Sequence, residues 1–175
     1  MTIKGDLIHS SGGLNINRGK LIIHGDYRIQ KKNTDDYANI SYTYSNGYLS
    51  MKKDADHVAV YGNFIIDSNI SHKYNPTAGV LELKGDFIQK STYTNHPSDN
   101  FQASGTHKVL FSGNEKQTLT FEDPYDHCSY FNILDSVNTI CGIKFTSSII
   151  ETKLFNHQRN PFILAEASVF PDYDF

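Results

Sequence analysis

The chain has 175 residues, of which 38% are hydrophobic and 13% aromatic, so it is long and apolar enough to bury a core as one domain. Its 16 Lys and Arg stand against 19 Asp and Glu, and this net charge of −3 provides no broad cationic surface for nucleic acid or anionic lipid. No run approaches the roughly 18 apolar residues that a membrane span needs, which argues against membrane insertion.

The N-terminal segment reads as short strands, and "MTIKGDLIHSSGG" lacks the apolar stretch of a secretory signal. Together with the small size, this suggests a piece of a larger protein. An open strand edge is expected here, with Ile3, Leu7, Leu14 and Ile16 close to it. Uncovered edges pair with other chains, so the segment predicts end-to-end self-association.

One sequence motif occurs twice, as "GKLIIHGDYRIQ" (19–30) and, in related form, "GVLELKGDFIQK" (79–90). Weaker copies share a β-like run, a Gly-Asp or Gly-Asn junction and a second β-like run. The junctions are Gly5-Asp6, Gly25-Asp26, Gly62-Asn63, Gly85-Asp86 and Gly113-Asn114. Alternating apolar residues predict strands, and each junction predicts a corner at positive φ, which glycine adopts freely.

The repeat has an underlying period of about twenty residues, with polar inserts expected to loop out at 31–46, 67–78 and 90–104. Short strands with glycine corners at this period predict an all-β fold, a right-handed parallel β-solenoid. Equivalent positions should then stack. The predicted inward ladder comprises Leu21, Ile23, Tyr27 and Ile29, then Val58, Val60, Phe64 and Ile66, then Leu81, Leu83, Phe87 and Gln89, then Val109 and Phe111.

The strand signal continues beyond residue 115 in "KQTLTF", "YFNILDSV" and "GIKFTSSII". We therefore predict one domain over residues 1–150. The final segment, 151–175, fits the repeat less well and is expected to be a cap or the truncated start of a following segment.

Tyrosines concentrate in the inserts and have two interpretations. They are Tyr37, Tyr42, Tyr44, Tyr48, Tyr74 and Tyr93. They form a sugar- or protein-binding face, or they are cross-strand pairs in a protruding hairpin, "YANISYTYSNGYLSM", whose turn is Asn46-Gly47. The hairpin interpretation is favoured.

Acidic residues that would serve polysaccharide cleavage or Ca²⁺ binding are the pairs Asp35-Asp36, Asp54 with Asp56, and Asp123 with Asp126. All lie in polar inserts or turns, where Asp is favoured for local hydrogen bonding. The junction acids Asp6, Asp26 and Asp86 are interpreted as corners, since Asn replaces Asp at two junctions. We therefore predict no catalytic residue.

Metal and thiol chemistry have little support in the sequence. The histidines are scattered without metal-binding spacing: His9, His24, His57, His72, His96, His107, His127 and His157. Cys128 and Cys141 lie in no nucleophile motif, and their disulfide state stays open. Asp172 and Asp174 begin an incomplete calcium-loop pattern that lacks its glycine and distal Glu. We predict no metal and no cofactor.

The repeated phrases, followed by "GTHKVLFSGNEKQTLTFEDPYDHCSYFNILDS", resemble β-solenoid repeat segments of large Gram-positive bacterial cell-surface and secreted proteins, of the adhesin-like and polymorphic-toxin-like kinds. The matching positions of the second phrase are Gly105, Thr106, His107, Val109, Phe111, Gly113, Gln117, Thr118, Leu119, Phe121, Phe131, Asn132 and Leu134. The resemblance covers roughly residues 3–150 and implies a structural repeat, with no catalytic residue to transfer.

Two functions are consistent with these features. The first is a non-enzymatic structural module of a bacterial surface or secreted protein, the extracellular stalk of an adhesin or toxin-delivery protein. Its partners would be the neighbouring domains, and a host or cell-wall glycan or protein at the loops. The alternative is a carbohydrate-binding or polysaccharide-cleaving β-helix of the tailspike or pectinase type, which requires three or more carboxylates converging on one outer groove.

Overall fold

The computed structural model describes residues 1–35, 37–90, 92, 101–122, 133–136 and 143–145. Every regular element in these parts is a β-strand, which confirms the all-β class. In chain order the strands are β1 (Thr2–Ile3), β2 (Leu7–Ile8), β3 (Ser11–Asn15), β4 (Lys20–Ile23), β5 (Tyr27–Ile29), β6 (Lys31–Thr34), β7 (Ile40–Thr43), β8 (Asn46–Ser50), β9 (His57–Val60), β10 (Phe64–Ile66), β11 (Val80–Leu83), β12 (Phe87–Gln89), β13 (Lys108–Phe111), β14 (Gln117–Phe121), β15 (Ile133–Ser136) and β16 (Ile143–Phe145).

These strands form four sheets. The first large sheet has the order β1-β4-β9-β11-β13-β15, and the second has the order β2-β5-β10-β12-β14-β16. Neighbours are parallel throughout both large sheets. β3 and β8 form a two-stranded parallel sheet, whereas β6 and β7 form an antiparallel hairpin. From β9 onward, successive strands alternate between the two large sheets.

The prediction of one right-handed parallel β-solenoid was wrong. The strands are divided among separate sheets, two of them with only two strands, and β6 pairs with β7 in the antiparallel sense. The repeat indicates which segments pair as neighbours, but the junctions interrupt each run after a few residues. Each repeat therefore contributes short strands to different sheets, and the polar insert pairs with itself.

The predicted neighbours within the repeat are observed. Leu21 lies opposite Val58, which lies opposite Leu81, and in the second large sheet Tyr27 lies opposite Phe64. Their side chains contribute to one buried hydrophobic cluster. Its members are Leu21, Ile23, Tyr27, Ile29, Leu49, Met51, Val58, Val60, Phe64, Ile66, Leu81, Leu83, Phe87, Phe101, Ala103, Val109, Phe111 and Leu119. Stacking like residues on adjacent strands removes a continuous apolar surface from water.

The junction glycines are required for a reason different from the predicted one. Gly25, Gly62 and Gly85 do not have positive φ, which is found instead at Gly79 and Gly105. A Cβ on Gly62 would lie 2.6 Å from the carbonyl carbon of Gly25, and one on Gly85 would lie 2.4 Å from the Gly62 carbonyl oxygen. Close approach of neighbouring backbones, rather than a left-handed corner, therefore excludes side chains here.

The turn between β6 and β7 is organised by one side chain, that of Asp35. Asp35 Oδ1 accepts the backbone N–H groups of Tyr37 and Asn39 at 2.9 and 2.8 Å, and its Oδ2 accepts the Asn39 side-chain amide at 2.9 Å. Ala38 takes a φ of 59° within this turn. Asp supports such turns by bonding to backbone two residues on.

Asn46-Gly47 was predicted as the turn of a protruding hairpin over residues 37–51, and that prediction was wrong. Both residues lie in β8, and Gly47 is opposite Gly12 in the parallel pair with β3. A Cβ on Gly47 would lie 2.9 Å from the carbonyl oxygen of His9, so glycine is needed here for close packing.

The proposed division into residues 1–150 and 151–175 stays a prediction, because residues 151–175 lie outside the described parts. No helix with the length and hydropathy to cross a bilayer occurs in the part of the chain that the structure describes.

Candidate functional site

Side chains at the glycine junctions form a series of hydrogen bonds, three of them from one junction to the next and the last to Thr118 in β14. Asp6 Oδ1 accepts the Asp26 backbone N–H at 2.8 Å, and Asp26 Oδ1 accepts that of Asn63 at 2.8 Å. Asn63 Oδ1 then accepts the Asp86 N–H at 2.9 Å, and Asp86 Oδ1 accepts that of Thr118 at 2.8 Å. An amide oxygen serves here as well as a carboxylate, so these side chains have a structural role.

The acid pair Asp54 and Asp56 is also engaged in local structure. Asp56 is buried, and its carboxylate accepts the backbone N–H groups of Arg18, Lys52 and Lys53. Asp54 accepts the Thr106 hydroxyl at 2.9 Å. A carboxylate whose lone pairs already accept backbone N–H groups is poorly placed to act as an acid or base.

Asp35 belongs to the hairpin turn, where its hydrogen bonds to Asn39 hold the pKa of its carboxyl below the usual value. Several predicted residues lie outside the described parts: Asp36, Asp123, Asp126, Cys128, Cys141, Asp172, Asp174, Tyr93, His96, His127 and His157. Within the described ranges, no group of three or more His, Cys, Asp or Glu side chains is placed to hold a metal ion.

Two histidines are buried in the protein interior. His72 Nε2 accepts the Leu49 N–H at 3.3 Å, its Nδ1 bonds the Ile70 carbonyl at 3.1 Å, and burial lowers the His72 pKa to about 4. His107 packs against Phe101 with ring centroids 5.9 Å apart, and neither of its ring nitrogens has a hydrogen-bond partner. Burial lowers the His107 pKa to about 3. Neutral, enclosed imidazoles are structural groups.

One half-buried cluster on the first large sheet brings a serine, a carboxylate and a histidine together. Ser112 Oγ donates to Glu82 Oε1 at 2.8 Å, and Glu82 Oε2 lies 3.0 Å from His57 Nε2. Lys84 Nζ lies 3.5 Å from Glu82 Oε1. A nucleophilic triad needs the histidine between the serine and the acid, whereas here Glu82 occupies the middle. His57 therefore cannot take the Ser112 proton, and the cluster is not a hydrolytic site.

A groove of about 530 Å³ lies at the base of the β6–β7 hairpin. It is lined by residues from four separate chain segments: Ser10, Lys31, Thr43, Tyr44, Ser45, Asn46 and Asn69. Hydroxyl and amide side chains dominate, with one aromatic ring and one cation. Because its lining combines hydroxyls, amides and an aromatic ring, we take this groove as a candidate binding site.

The floor of this groove is held together by backbone pairing. The Asn46 N–H donates to the Ser10 carbonyl at 3.2 Å, and the Asn69 N–H donates to the Ser45 carbonyl at 3.0 Å. Ser45 and Ser68 also form a parallel bridge. Three neighbouring segments thus place small polar residues side by side.

Asn69 carries the most informative atom of the groove. Its Oδ1 is buried and accepts no hydrogen bond. A buried acceptor left without any donor costs a folded chain about 1–3 kcal/mol, and water or a ligand hydroxyl can supply that donor. This cost identifies Asn69 as a position where a bound donor would be favourable.

A buried carboxylate anchors one wall of the groove to the core. Thr92 Oγ1 donates to Asp67 Oδ2 at 2.7 Å and accepts the Tyr44 N–H at 3.0 Å. Gln30 Nε2 lies 3.4 Å from the same Asp67 oxygen. Residues before and after the hairpin are therefore tied to one point, which fixes the wall that carries Tyr44.

The predicted tyrosines are used in different ways. Tyr37 is 87% exposed at the hairpin tip, whereas the Tyr42 ring lies 4.5 Å from the Arg28 guanidinium in a cation–π contact. Tyr48 occupies space above Gly13, where a Cβ would lie 2.4 Å from the Tyr48 ring. Among the described tyrosines, Tyr44 lines the groove.

Comparison with protein-family models, curated proteins and solved structures finds no match to this chain. The resemblance to Gram-positive surface and secreted proteins therefore stays a prediction from the repeated phrases.

Sequence reasoning predicted contacts with a glycan or protein at the inserts, and the inserts 31–46 and 67–78 contain every lining residue except Ser10. Among the individual lining residues it singled out only Tyr44 for such contacts. Ser10, Asn46 and Asn69 are small polar residues in three distant segments, and no motif joins them. The available signals were the polar inserts that contain Asn46 and Asn69, and no signal pointed to Ser10.

Proposed function

We propose that this chain is a non-catalytic structural module of a bacterial cell-surface or secreted protein, and that it holds inserted segments out for contact with other molecules. The main support is that successive repeats pair their strands in the same way, although the chain segments that connect these strands differ in length. Successive junction hydrogen bonds join residues 20, 37, 23 and 32 positions apart. Sheets that accept such different connections are suited to carrying inserts.

Two further observations support a structural role. The described junction acids accept backbone N–H groups, and so does Asp56. The β6–β7 hairpin leaves the sheets with an exposed tip, where Tyr37 and Ile40 are 87% and 56% exposed. The assignment to a surface or secreted protein is supported by the resemblance of the repeated phrases.

A shortened hairpin tests whether the insert is separable from the sheets. Lys32 pairs with Tyr42 across the hairpin, so residues 33–41 are replaced by Asn-Gly, which forms a two-residue turn. We expect the thermal unfolding midpoint to change by no more than about 4 °C, equivalent to roughly 1 kcal/mol. Loss of cooperative unfolding would show that the insert is part of the folded framework and would contradict the proposal.

Display at the cell surface is tested with an antibody raised against residues 33–41. On intact cells that produce the parent protein, or in their medium, we expect labelling that the shortened variant lacks. Labelling only after lysis would contradict the surface assignment. Release of reducing sugar ends from polysaccharides by the purified chain would contradict the non-catalytic assignment.

A further inference from the structure

We infer that the groove at the base of the hairpin binds a short oligosaccharide, an inference that rests on the proposed display role. Sugars present many hydroxyls and one apolar ring face. Hydroxyl and amide side chains match the hydroxyls because they both donate and accept, and an aromatic ring packs on the apolar face. The groove offers this combination through Ser10, Thr43, Ser45, Asn46, Asn69 and Tyr44.

The Asn69 amide gives the groove an acceptor for a hydrogen-bond donor, which a sugar hydroxyl can supply. Its buried Oδ1 has no donor from the protein, and binding requires the side chain to rotate so that this oxygen meets a sugar hydroxyl in the groove. A hydroxyl also accepts, so it satisfies the amide in either of its two orientations. An apolar ligand would leave this atom unsatisfied.

The spacing of the floor fits a linear chain of sugars. Adjacent strands lie about 4.8 Å apart, which is close to the length of one pyranose unit. Ser10, Asn46 and Asn69 come from three neighbouring segments joined by backbone hydrogen bonds. A glycan lying across these segments would meet a similar polar group at each sugar, on a floor that needs little reordering.

Charge favours a glycan that is neutral or acidic. Lys31 lines the groove, and none of the lining residues is Asp or Glu. An exposed ammonium adds at most about 1 kcal/mol, or roughly five-fold in affinity, for a sugar carboxylate.

An extended peptide suits this groove less well. Peptides bind as added strands at a sheet edge or by placing side chains in apolar pockets. Here Asn46 and Ser45 are already paired to neighbouring segments, and Tyr44 is the one large apolar group among the lining residues.

The test uses the full chain on an array of immobilised oligosaccharides that includes chitotetraose as a neutral probe and sialyllactose as an acidic probe, with an array of unmodified peptides beside it. We expect binding to glycans and not to peptides. For the best glycan, Tyr44→Ala should weaken affinity about five-fold or more, and Asn69→Ala roughly three- to ten-fold. Lys31→Gln should weaken acidic glycans alone.

Tyr74→Ala is the matched control, since Tyr74 is 67% exposed and does not line the groove. Each variant's unfolding midpoint is measured in parallel, and Asn69→Ala serves if Tyr44→Ala fails to fold. No glycan binding, peptide binding alone, or equal losses from Tyr74→Ala and Tyr44→Ala would overturn the inference. If the shortened hairpin still unfolds as expected, such a result would leave the proposed structural role standing.

Discussion

Asp26 links two directions of the structure: its Oδ1 accepts the backbone N–H of Asn63 at 2.8 Å, and its Oδ2 accepts the Arg28 guanidinium at 2.7 Å. The first bond joins two junctions that are 37 residues apart in the chain. The second holds a neighbouring side chain whose guanidinium lies 4.5 Å from the Tyr42 ring centroid. One carboxylate therefore connects the junctions to the base of the hairpin.

Substitution of Asp26 should separate these two contributions. Asp26→Ala leaves the Asn63 N–H without its acceptor, and we expect a loss of about 1–3 kcal/mol in unfolding free energy. Asp26→Asn keeps an oxygen for that bond and weakens only the partly buried ion pair with Arg28, at a cost of about 1 kcal/mol. Urea unfolding at neutral pH measures both. Equal losses would contradict the assigned role of the backbone bond.

Adding one methyl group should destabilise the fold at a junction that contacts the preceding one. It should have little effect at the first junction. A Cβ on Gly62 would lie 2.7 Å from the Asp26 backbone nitrogen, whereas one on Gly5 meets nothing within 4 Å. We expect Gly62→Ala to destabilise the fold by about 1–3 kcal/mol and Gly5→Ala to change it little. Chemical denaturation of the two variants is the measurement, and a tolerant Gly62 would contradict the close approach.

The protein should lose stability in mild acid through His107. Its ordinary pKa of 6.5 is lowered to about 3 by burial, so between these values the unfolded chain binds a proton that the folded chain excludes. The contribution of His107 to the unfolding free energy should therefore be fully present above about pH 6.5. Below that pH it should fall by up to about 1.4 kcal/mol per pH unit.

His107→Leu tests this relation because leucine fills a similar space without polar atoms. The slope of unfolding free energy against pH should become shallower between pH 6 and pH 4, measured by urea unfolding at several pH values. The part due to His72, whose pKa is about 4, should remain. An unchanged slope in the variant would show that His107 does not carry the effect.

Self-association through the N-terminal edges stays a prediction and has a direct test. β1, β2 and β3 are each the end strand of their sheet, and Leu7 is only partly buried against the core. Such edges pair readily with a second copy. Leu7→Lys should lower the apparent mass of the concentrated chain in light scattering, with Tyr74→Lys as the charge-matched control. A wild-type chain that is strictly monomeric would contradict the prediction.

Local sequence patterns predicted which strands are neighbours. They did not predict how the strands are distributed among separate sheets. Leu21, Val58 and Leu81 were placed opposite one another because each stands four residues before its junction glycine. The same repeat could not show that the insert pairs with itself, since Asp35 sets that turn through bonds to Asn39. Asn46-Gly47 was misinterpreted because this residue pair usually forms a hairpin turn. Here the glycine is needed instead for close packing against His9.

The inserts that line the groove were predicted as contact regions, but their joining into one groove with Ser10 was not, for a different reason. Tyr44 stands out by composition, but Asn69 becomes informative only when its buried oxygen is seen to lack a donor. That property depends on three distant segments meeting, and it leaves no trace in local sequence.

The unequal distances between paired junctions have a consequence for how this chain varies and folds. The entropy lost in closing a loop grows only with the logarithm of its length, so lengthening a connection from 20 to 37 residues adds about 0.5 kcal/mol. Insertions and deletions in these connections are therefore nearly neutral for stability. All pairings in the two large sheets are distant in sequence, so we expect slow folding, with its rate set by the first pair of distant segments to meet.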